Sequence, residues 1–503
     1  MSQTSHQTAP EDVIPFGLKL AYGLGAFVNN LLAGAIGGMT IVLNLGLQMS
    51  PTLVGLLGAI PRLTDALTDP LMGYISDNTR SRWGRRRPYI FAGAIAVGLI
   101  FIALWQLPRG QSENFYFWYF LIGSLIFYLA YTCFATPWVA LGYELTPDYH
   151  ERTRLMGVQN FVGQLAYFVS PWFLWVMQNE DFFSDLVSGA AGLAWIIGIF
   201  AIVIGILPAI LLRERFETTP PLELKDINPE DPARIKSKFD TARRPSKNPL
   251  IENVKDFFRG FIATLKFRPF QKLCVATFLV FNGFILISSF QPYVIIYYVF
   301  AGDKAQGAAY AGYFGTLSAL STLLIVMLIT ALGTKIGKRR AFFVSTGISV
   351  FGYLLKWFCY NPEIPWLLLV PAPLMAFGLG GLFTLMGSMI ADVVDLDELK
   401  TGERREGMFG SIYWWMVKLG MAAALAGGGW LLDQTGFDVA LGGAQTEQTL
   451  FLMRLLDVTV PAAASVVAIF TVWSYSITEE RALEIRAELE ERADQRASTE
   501  TAS

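Results

Sequence analysis

Two aspartates four positions apart, Asp65 and Asp69 in the stretch PRLTDALTDPLMG, are the residues of this sequence best suited to chemistry. This spacing places both carboxylates on one face of a helix, one turn apart. In an apolar medium, adjacent carboxylates are stable only if a cation lies between them or one takes a proton. The hydroxyl of Thr68 adds an oxygen, and oxygen ligands suit Na⁺ better than a transition metal. We therefore predict a cation or proton site; the alternative is that both aspartates pair with Arg62 or with another helix for packing alone.

A lysine in the apolar stretch YWWMVKLGM, Lys418, is the second candidate. A lysine at this depth needs a counter-charge or a water-filled cavity, so we expect it to approach the cation site or a substrate oxygen. Trp414 and Trp415 lie about one turn earlier. A sugar face stacks on an aromatic ring, although tryptophans of membrane helices are also common as packing or interfacial residues.

Motifs of enzymes are missing from the sequence. The only histidines are His6 and His150, so no H-E-x-x-H motif or histidine metal cluster exists, and no P-loop is present. The three cysteines have no paired spacing that would indicate a metal site or a disulfide framework. The 39 basic and 41 acidic residues nearly cancel, which gives no indication of a nucleic-acid partner. We predict that the chain is not an enzyme.

The composition identifies the elements that must position these groups. The chain has 503 residues, of which 53% are hydrophobic and only 16% charged, against roughly 25% charged in soluble proteins. This excludes a soluble or disordered protein. Segment lengths near 20 residues, rich in Gly, Ala and Leu, favour helices that span a bilayer. Twelve such segments lie near 15–47, 51–76, 88–107, 115–146, 154–177, 188–213, 270–300, 307–332, 341–359, 364–391, 406–432 and 450–474.

The basic residues of the loops predict the orientation in the membrane. Loops and tail on one side hold 32 Lys and Arg, and the opposite loops hold two. Basic loops face the cytoplasm, so both termini are expected there, in a plasma (inner) membrane. Two six-helix bundles form a common transporter plan. The predicted parts are a tail (1–14), a bundle (15–213), a cytoplasmic linker (214–268), a second bundle (269–476) and a tail (477–503).

Charges at the cytoplasmic helix ends are candidates for gating. Asp77 precedes the arginine-rich loop SDNTRSRWGRRRP, and pairing between helices here would lock that side shut. In DVVDLDELKTGERREG, breakable pairs are expected, whereas we interpret Asp397, Glu398 and Lys400 as a solvated charge run. The gating candidates are Arg62, Asp77, Arg82, Asp392, Asp395 and Arg404.

From Lys19 to Gly420 the sequence resembles the glycoside/pentoside/hexuronide:cation symporter family, the melibiose-permease branch of the major facilitator superfamily. The resemblance rests on KLAYGLGAF in the first span, RLTDALTDPLMGYISD with TRSRWGRRRPY in the second, YTCFATPW in the fourth, and IADVVDLDELKTGERREG with MVKLG in the tenth and eleventh. The D-x-x-x-D-P element joined to S-R-W-G-R is highly specific to that family.

The resemblance implies an alternating-access symporter that binds its cation between the second, fourth and eleventh spans. Asp65 and Asp69 match the paired carboxylates of the family, Thr132 its fourth-span threonine and Lys418 its lysine. Thr68 stands where melibiose permeases have asparagine, which leaves the choice among Na⁺, Li⁺ and H⁺ open. No other cofactor is expected.

The substrate positions depart from the melibiose permeases. Asn29 and Asn30 replace a lysine and an aspartate, Ala135 replaces a second aspartate, and Val139 replaces a tryptophan. Asn160 falls where the family has an arginine. No carboxylate remains here to grip sugar hydroxyls, so another glycoside or a less polar solute is expected. The predicted substrate contacts are Asn29, Asn30, Thr136, Trp138, Asn160, Gln164 and Trp414.

The leading functional prediction is cation-coupled symport of a glycoside or related sugar by a chain that acts as a monomer. One alternative is a cation-coupled carrier of a lipid-like or amphipathic solute, which the loss of charge from the sugar positions favours. Another is a non-transporting membrane sensor or scaffold, against which the costly buried carboxylates argue.

Overall fold

A computed structural model describes residues 10–146, 148–214, 262, 264–402 and 405–501, and helices make up nearly all of this part of the chain. The first half contains six membrane helices. They are α1 (Phe16–Met39, continued by Ile41–Leu45), α2 (Pro51–Asn78), α3 (Arg87–Leu104), α4 (Glu113–Glu144), α5 (Tyr149–Gln164, continued through short segments to Phe173–Met177) and α6 (Leu186–Gly205, continued by Leu207–Leu211).

The second half repeats this pattern. Its helices are α7 (Arg268–Tyr293, with a π turn at Val294–Val299), α8 (Lys304–Ile336), α9 (Lys338–Cys359), α10 (Pro371–Thr401), α11 (Glu406–Gln434) and α12 (Glu447–Trp473). A thirteenth helix, α13 (Glu479–Thr501), forms the tail and packs on α10. Most of the predicted linker, residues 214–268, lies outside the described residues.

Ten of the described helices are long and apolar enough to cross a membrane. Those that do not qualify are α2 and α5 of the first half and the tail helix α13. The middle of α2 carries Arg62, Asp65 and Asp69, and α5 is interrupted by a 3₁₀ turn at Ser170–Trp172. The prediction of an all-helical membrane protein is thus confirmed, and α2 fails to qualify because it bears the candidate charges.

Short polar residues begin several of these helices. The side chains of Ser50, Ser112, Asp148, Asp303 and Thr446 each accept a hydrogen bond from a backbone amide of the first turn. These caps satisfy amides that have no partner within the helix. They fix the loop ends of α2, α4, α5, α8 and α12, so that the apolar stretches between them span the bilayer.

The two halves pack tightly at the membrane side away from the termini, where α2 meets α11. A Cβ added to Gly55 would lie 2.5 Å from the Leu425 carbonyl oxygen, and one on Gly429 only 2.1 Å from that of Pro51. Only glycine permits this approach of two backbones. Asp433 of α11 also accepts a hydrogen bond from the Thr52 amide at 2.9 Å, so the start of α2 is capped by the other half.

A second contact between the halves on this closed side joins α5 and α8. The Trp172 indole donates to the Thr316 hydroxyl at 2.9 Å and its ring packs on Gly312. Nearer the termini, the corresponding face of α11 is open: Trp414, one turn before Lys418, is 56% exposed. On the facing side of α2, the Asp69 side chain is 37% exposed. The halves therefore enclose a gap that is closed at one end and open toward the termini.

A buried ion pair far from the candidate site joins α9 and α12 of the second half. Lys356 of α9 contacts Asp457 of α12 at 2.6 Å, and both side chains are at most 1% exposed. Tyr360 donates to the same carboxylate at 2.6 Å. Breaking such a pair leaves a buried charge without compensation.

We expect Asp457→Asn to lower the free energy of unfolding by about 3–5 kcal/mol, because Lys356 loses its only ion-pair partner among the described residues. Thermal unfolding of the purified protein in detergent measures this loss. Asp181→Asn in the exposed α5–α6 loop is the matched control and should leave the unfolding temperature unchanged. Equal stability of the two variants would contradict the prediction.

Candidate functional site

The candidate site lies midway along α2, where Asp65 and Asp69 point toward α11. Lys418 of α11 contacts Asp65 Oδ2 at 2.9 Å and also pairs with Asp69. The Asp65 side chain is 6% exposed, that of Lys418 is 23% exposed and that of Asp69 is 37% exposed. We call these three residues the carboxylate cluster. It joins the two halves through charge, and its Asp69 side remains accessible from the open gap.

Hydroxyl groups surround the carboxylates. Thr132 of α4, itself buried, has its Oγ1 3.0 Å from Asp65 Oδ1 and 3.2 Å from Asp69 Oδ1. Its single proton is donated to one carboxylate at a time. Thr136, one turn later, donates to Asp69 Oδ1 at 3.2 Å, and Thr68 Oγ1 lies 3.3 Å from Thr132 Oγ1. The site is therefore built from oxygens of α2 and α4 and one nitrogen from α11.

The donor set fits a monovalent cation or a proton. Two carboxylates and one ammonium sum to one negative charge, so one added positive charge neutralises the cluster. No grouping of three or more His, Cys, Asp or Glu suited to a metal occurs within the residues that the structure describes. Oxygen ligands without imidazole or thiolate select hard cations. The cluster can thus bind one cation at a time, in competition with Lys418 for the same oxygens.

Comparison with known families identifies the class of protein. Residues 21–225 and 233–479 match the family described as MFS/sugar transport protein. The chain belongs to this family. Because the relatives of this MFS protein are transporters, it is a transporter and not an enzyme.

Known relatives of the transporter align over nearly its whole length. An uncharacterized symporter of Synechocystis sp. is 25% identical over 97% of this chain and 98% of the relative. A glucuronide carrier protein homolog of Escherichia coli is 22% identical, covering 94% and 95%. The sodium-dependent lysophosphatidylcholine symporter 1-B of Danio rerio is 23% identical, covering 96% and 91%. The chain is thus similar to symporters from bacteria and from a vertebrate.

A solved structure supports the fold of the transporter. A bacterial homologue of the human lysosomal transporter Spinster, in an inward-facing and unoccupied conformation, aligns with a TM-score of 0.66. The alignment covers 94% of this chain and all of the other, at 15% identity. Because the sequence identity is this low, the alignment supports the fold alone.

Two neighbouring asparagines of α1 in the transporter form a hydrogen-bonded pair. Asn29 donates to the Asn30 side-chain oxygen at 3.3 Å, and Asn30 donates to the Gly163 carbonyl of α5 at 3.0 Å. Tyr131 of α4 donates to the Asn29 side-chain oxygen at 2.7 Å. Both amides are only partly buried, so they remain able to meet a polar solute.

The other predicted substrate residues take different positions. Trp138 is 2% exposed, stacks on Tyr22 and donates to the Tyr22 carbonyl, so the structure places it in the packing of the first half. Thr136 joins the carboxylate cluster instead of the amide pair. Asn160 and Gln164 of α5 are respectively exposed and half-buried. Trp414 stacks on Phe383 of α10, with 6.3 Å between ring centroids, beside the open gap.

Arg62 of α2 does not pair with either aspartate. Its guanidinium lies over the Tyr128 ring, 5.4 Å from the centroid. Among the described residues, no carboxylate lies within ion-pair distance of it. It lines a small cavity of about 20 Å³ between α1, α2, α4 and α11, on the closed side of the carboxylate cluster. Arg62 is therefore not the partner of the aspartates, and the structure pairs both of them with another helix, through Lys418 of α11.

Charges at the terminus-facing end of the first half form a network within that half. Asp77 pairs with Arg86 at 2.7 Å, and Glu144 of α4 pairs with both Arg85 and Arg86. Arg82 is exposed and has no ion pair within the part of the chain described here. The predicted pairing of Asp77 with the arginine loop stays a gating prediction, with Arg86 as the partner.

In the second half, Asp392 pairs with Lys338 of α9 at 2.7 Å. The predicted Arg404 lies outside the described residues, and Asp395 makes contacts of its own. The interpretation of Asp397 as part of a solvated run is wrong: it is 1% exposed and pairs with Arg405 at 2.6 Å. The chain turns back after α10, and this brings Arg405 over the last turns of that helix.

Sequence reasoning missed two acidic residues that bind the arginine loop. Glu144 ends α4, and Glu214 accepts hydrogen bonds from three successive backbone amides at the start of α3, at 2.7–3.0 Å. Five arginines within eight residues were the available signal, because Asp77 alone cannot neutralise them and partly buried arginines need counter-charges. Glu214 thus fixes the beginning of the predicted linker to the first half.

Proposed function

We propose that this transporter couples the symport of a glycoside or related sugar to a cation, Na⁺ or H⁺, by alternating access. The observation that carries the proposal is the carboxylate cluster, in which Lys418 of one half contacts Asp65 and Asp69 of the other. Its net negative charge attracts a cation to the boundary along which the halves must move. Cation binding and movement of the halves are therefore linked at the same atoms.

Coupling follows from competition for the carboxylate oxygens. Without a cation, the ammonium of Lys418 satisfies both aspartates and holds α11 against α2. A bound cation neutralises the carboxylates in place of the Lys418 ammonium, and the hydroxyl oxygens of Thr132 and Thr68 lie beside it. It thereby lowers the free energy of an arrangement in which Lys418 no longer holds α11 against α2. Buried charges of this kind are costly, and a use in coupling explains why they are tolerated.

The solute is proposed to bind in the gap beside the cluster. Asn29 and Asn30 offer amide donors and acceptors, and Trp414 offers an exposed ring on which a sugar face can stack. Binding and release on opposite sides require that the gap open alternately. The excess of basic residues in the loops on the terminus side supports a cytoplasmic opening in this conformation, in a plasma (inner) membrane.

Purified protein in liposomes with imposed Na⁺ or H⁺ gradients tests the proposal. We expect one gradient to drive accumulation of at least one radiolabelled neutral glycoside or uronide above its external concentration. Collapse of that gradient with an ionophore should return the internal concentration to equilibrium. Equilibration of a solute that ignores both gradients would contradict symport.

A second candidate, transport of an amphipathic solute with an anionic group, is favoured by Arg62, which has no carboxylate partner among the described residues; the cavity beside it, of about 20 Å³, has room for about one water. The cavity is lined by Ile36, Leu57, Phe120 and Leu425, so the guanidinium of Arg62 faces mainly apolar side chains. A relative named as a lysophosphatidylcholine symporter supports the same chemistry. The liposome panel therefore includes a lysolipid: gradient-driven uptake of the lysolipid, with none of any sugar, would favour this candidate.

A further inference from the structure

Two consecutive residues of α4, Tyr131 and Thr132, face different helices. Consecutive side chains of a helix point about 100° apart, so one turn can touch two neighbours. Thr132 contacts both aspartates of α2. Tyr131 donates its phenolic proton to Asn29 of α1 at 2.7 Å. The turn of α4 that contains Tyr131 and Thr132 therefore bridges the carboxylate cluster and the asparagine pair.

The bridge continues as an uninterrupted chain of hydrogen bonds. From Tyr131 it passes to Asn29, then to Asn30, and ends on the Gly163 carbonyl of α5. If a hydrogen-bond partner moves, the asparagine side chain that it holds rotates. The amide NH₂ and the amide oxygen then face the gap in a different arrangement. A displacement of this α4 turn, caused by a change at Thr132, would therefore reorient the amides that face the gap.

Few other hydrogen bonds join α1 to α4 in the described chain. Trp138 donates to the Tyr22 carbonyl, and the Tyr22 hydroxyl lies 3.4 Å from the Val139 carbonyl oxygen. Both lie about two turns farther along α4 than Tyr131, in tightly packed core. The Tyr131 phenol is the link nearest the carboxylates, and its partner Asn29 is only partly buried.

We infer that Tyr131 is the positioning residue that relays occupancy of the carboxylate cluster to the Asn29–Asn30 pair. This inference rests on the proposed function, because it assumes that a cation binds at Asp65 and Asp69. Tyr131 contacts the asparagine and acts on the solute only through it. The effect is reciprocal: a solute held by the asparagines changes cation affinity by the same factor.

Hydrogen–deuterium exchange of the full-length protein, with Na⁺ alone as the probe, tests the relay without a known solute. Exchange rates in NaCl are compared with those in choline chloride. A further sample at low pH tests H⁺ as the ion, after its rates are corrected for the pH dependence of intrinsic amide exchange. In the wild type we expect the ion to slow exchange in the α2 segment around Asp65 and in the α1 segment around Asn29. The change in α1 should be about fivefold or more, the low end of typical coupling factors.

The test variant is Tyr131→Phe, which retains the ring stacked on Phe127 and removes only the hydroxyl. We expect it to retain the ion response of α2 and to lose that of α1. Tyr119→Phe is the matched control: it lies on the same helix, and its hydroxyl donates to the Ala103 carbonyl, far from both sites. It should respond as the wild type does.

The outcomes separate the two proposals. If neither Na⁺ nor acid changes exchange in wild-type α2, cation binding fails and the proposed function fails with it. If α2 responds but α1 does not, or if Tyr131→Phe retains the full α1 response, the relay is overturned and cation binding stands. Unfolding temperatures measured in parallel show whether Tyr131→Phe is intact; a purely structural role would change both segments together.

Discussion

Replacement of Asp69 by asparagine abolishes cation-driven accumulation in liposomes while the protein remains folded. With both carboxylates and Lys418 present, a bound monovalent cation gives a neutral cluster. In the variant the same cation leaves one uncompensated positive charge in a partly buried site, which costs several kcal/mol. Each 1.4 kcal/mol is tenfold in affinity, so cation affinity falls by about 100-fold or more.

An asparagine also cannot take a proton, so the same loss is expected if the coupling ion is H⁺. Accumulation is measured with the solute found in the liposome screen, under the gradient that drives it. Asp181→Asn, an equivalent change in an exposed loop, should retain wild-type accumulation. Thermal unfolding and gel filtration confirm that each variant is intact.

Undiminished gradient-driven uptake by Asp69→Asn would refute the assignment of the cation to this cluster. A variant that equilibrates the solute but no longer concentrates it would support the assignment strongly. In that case the solute pathway survives and only the coupling is lost, because the asparagine pair and Trp414 are unchanged.

The sequence was enough to predict the fold and to place Lys418 near the cation site or a substrate oxygen. The long apolar segments require helices in a bilayer, and a lysine as deep as Lys418 needs a counter-charge. The aspartates of α2 were the available partners at the same depth. Burial cost left the cation site and a substrate oxygen as the two options for Lys418, and the resemblance to the symporter family favoured the cation site. The structure shows the contact with Asp69, 349 positions away in the chain.

The faces of the helices could not be predicted in the same way. Because α4 is apolar on all sides, no periodicity shows that Trp138 packs inward whereas Thr136 faces Asp69. Asp397 resembled its solvated neighbours because its partner, Arg405, lies beyond the end of the helix, where helical spacing gives no information. The contact of Asp433 with Thr52 depends on how the halves dock.

The close approach of α2 and α11 makes Gly429 a sensitive position in the contact between the two halves on the closed side. A methyl group here would lie 2.1 Å from the Pro51 carbonyl oxygen and 3.1 Å from the Gly55 Cα. Both neighbours are backbone atoms, which cannot rotate away as a side chain does. Overpacking typically costs 1–3 kcal/mol, and here the cost falls only on the conformation in which the halves are closed.

Gly429→Ala should therefore shift the transporter toward the conformation open on that side and slow uptake by about tenfold or more, since each 1.4 kcal/mol is a factor of ten. Gly427→Ala is the matched control, because a Cβ there meets no atom within 4 Å. Alanine favours a helix over glycine by about 1 kcal/mol at either position, so this effect cancels between the two variants.

Pulsed electron paramagnetic resonance measures the shift directly. Spin labels at Gln111→Cys and Gln448→Cys, in a background with the three native cysteines replaced by serine, report the distance between the halves at the closed side. We expect a longer distance in Gly429→Ala than in Gly427→Ala, with cation binding retained in both because the carboxylate cluster is untouched. Identical distances and uptake rates in the two variants would show that this glycine contact does not control closure.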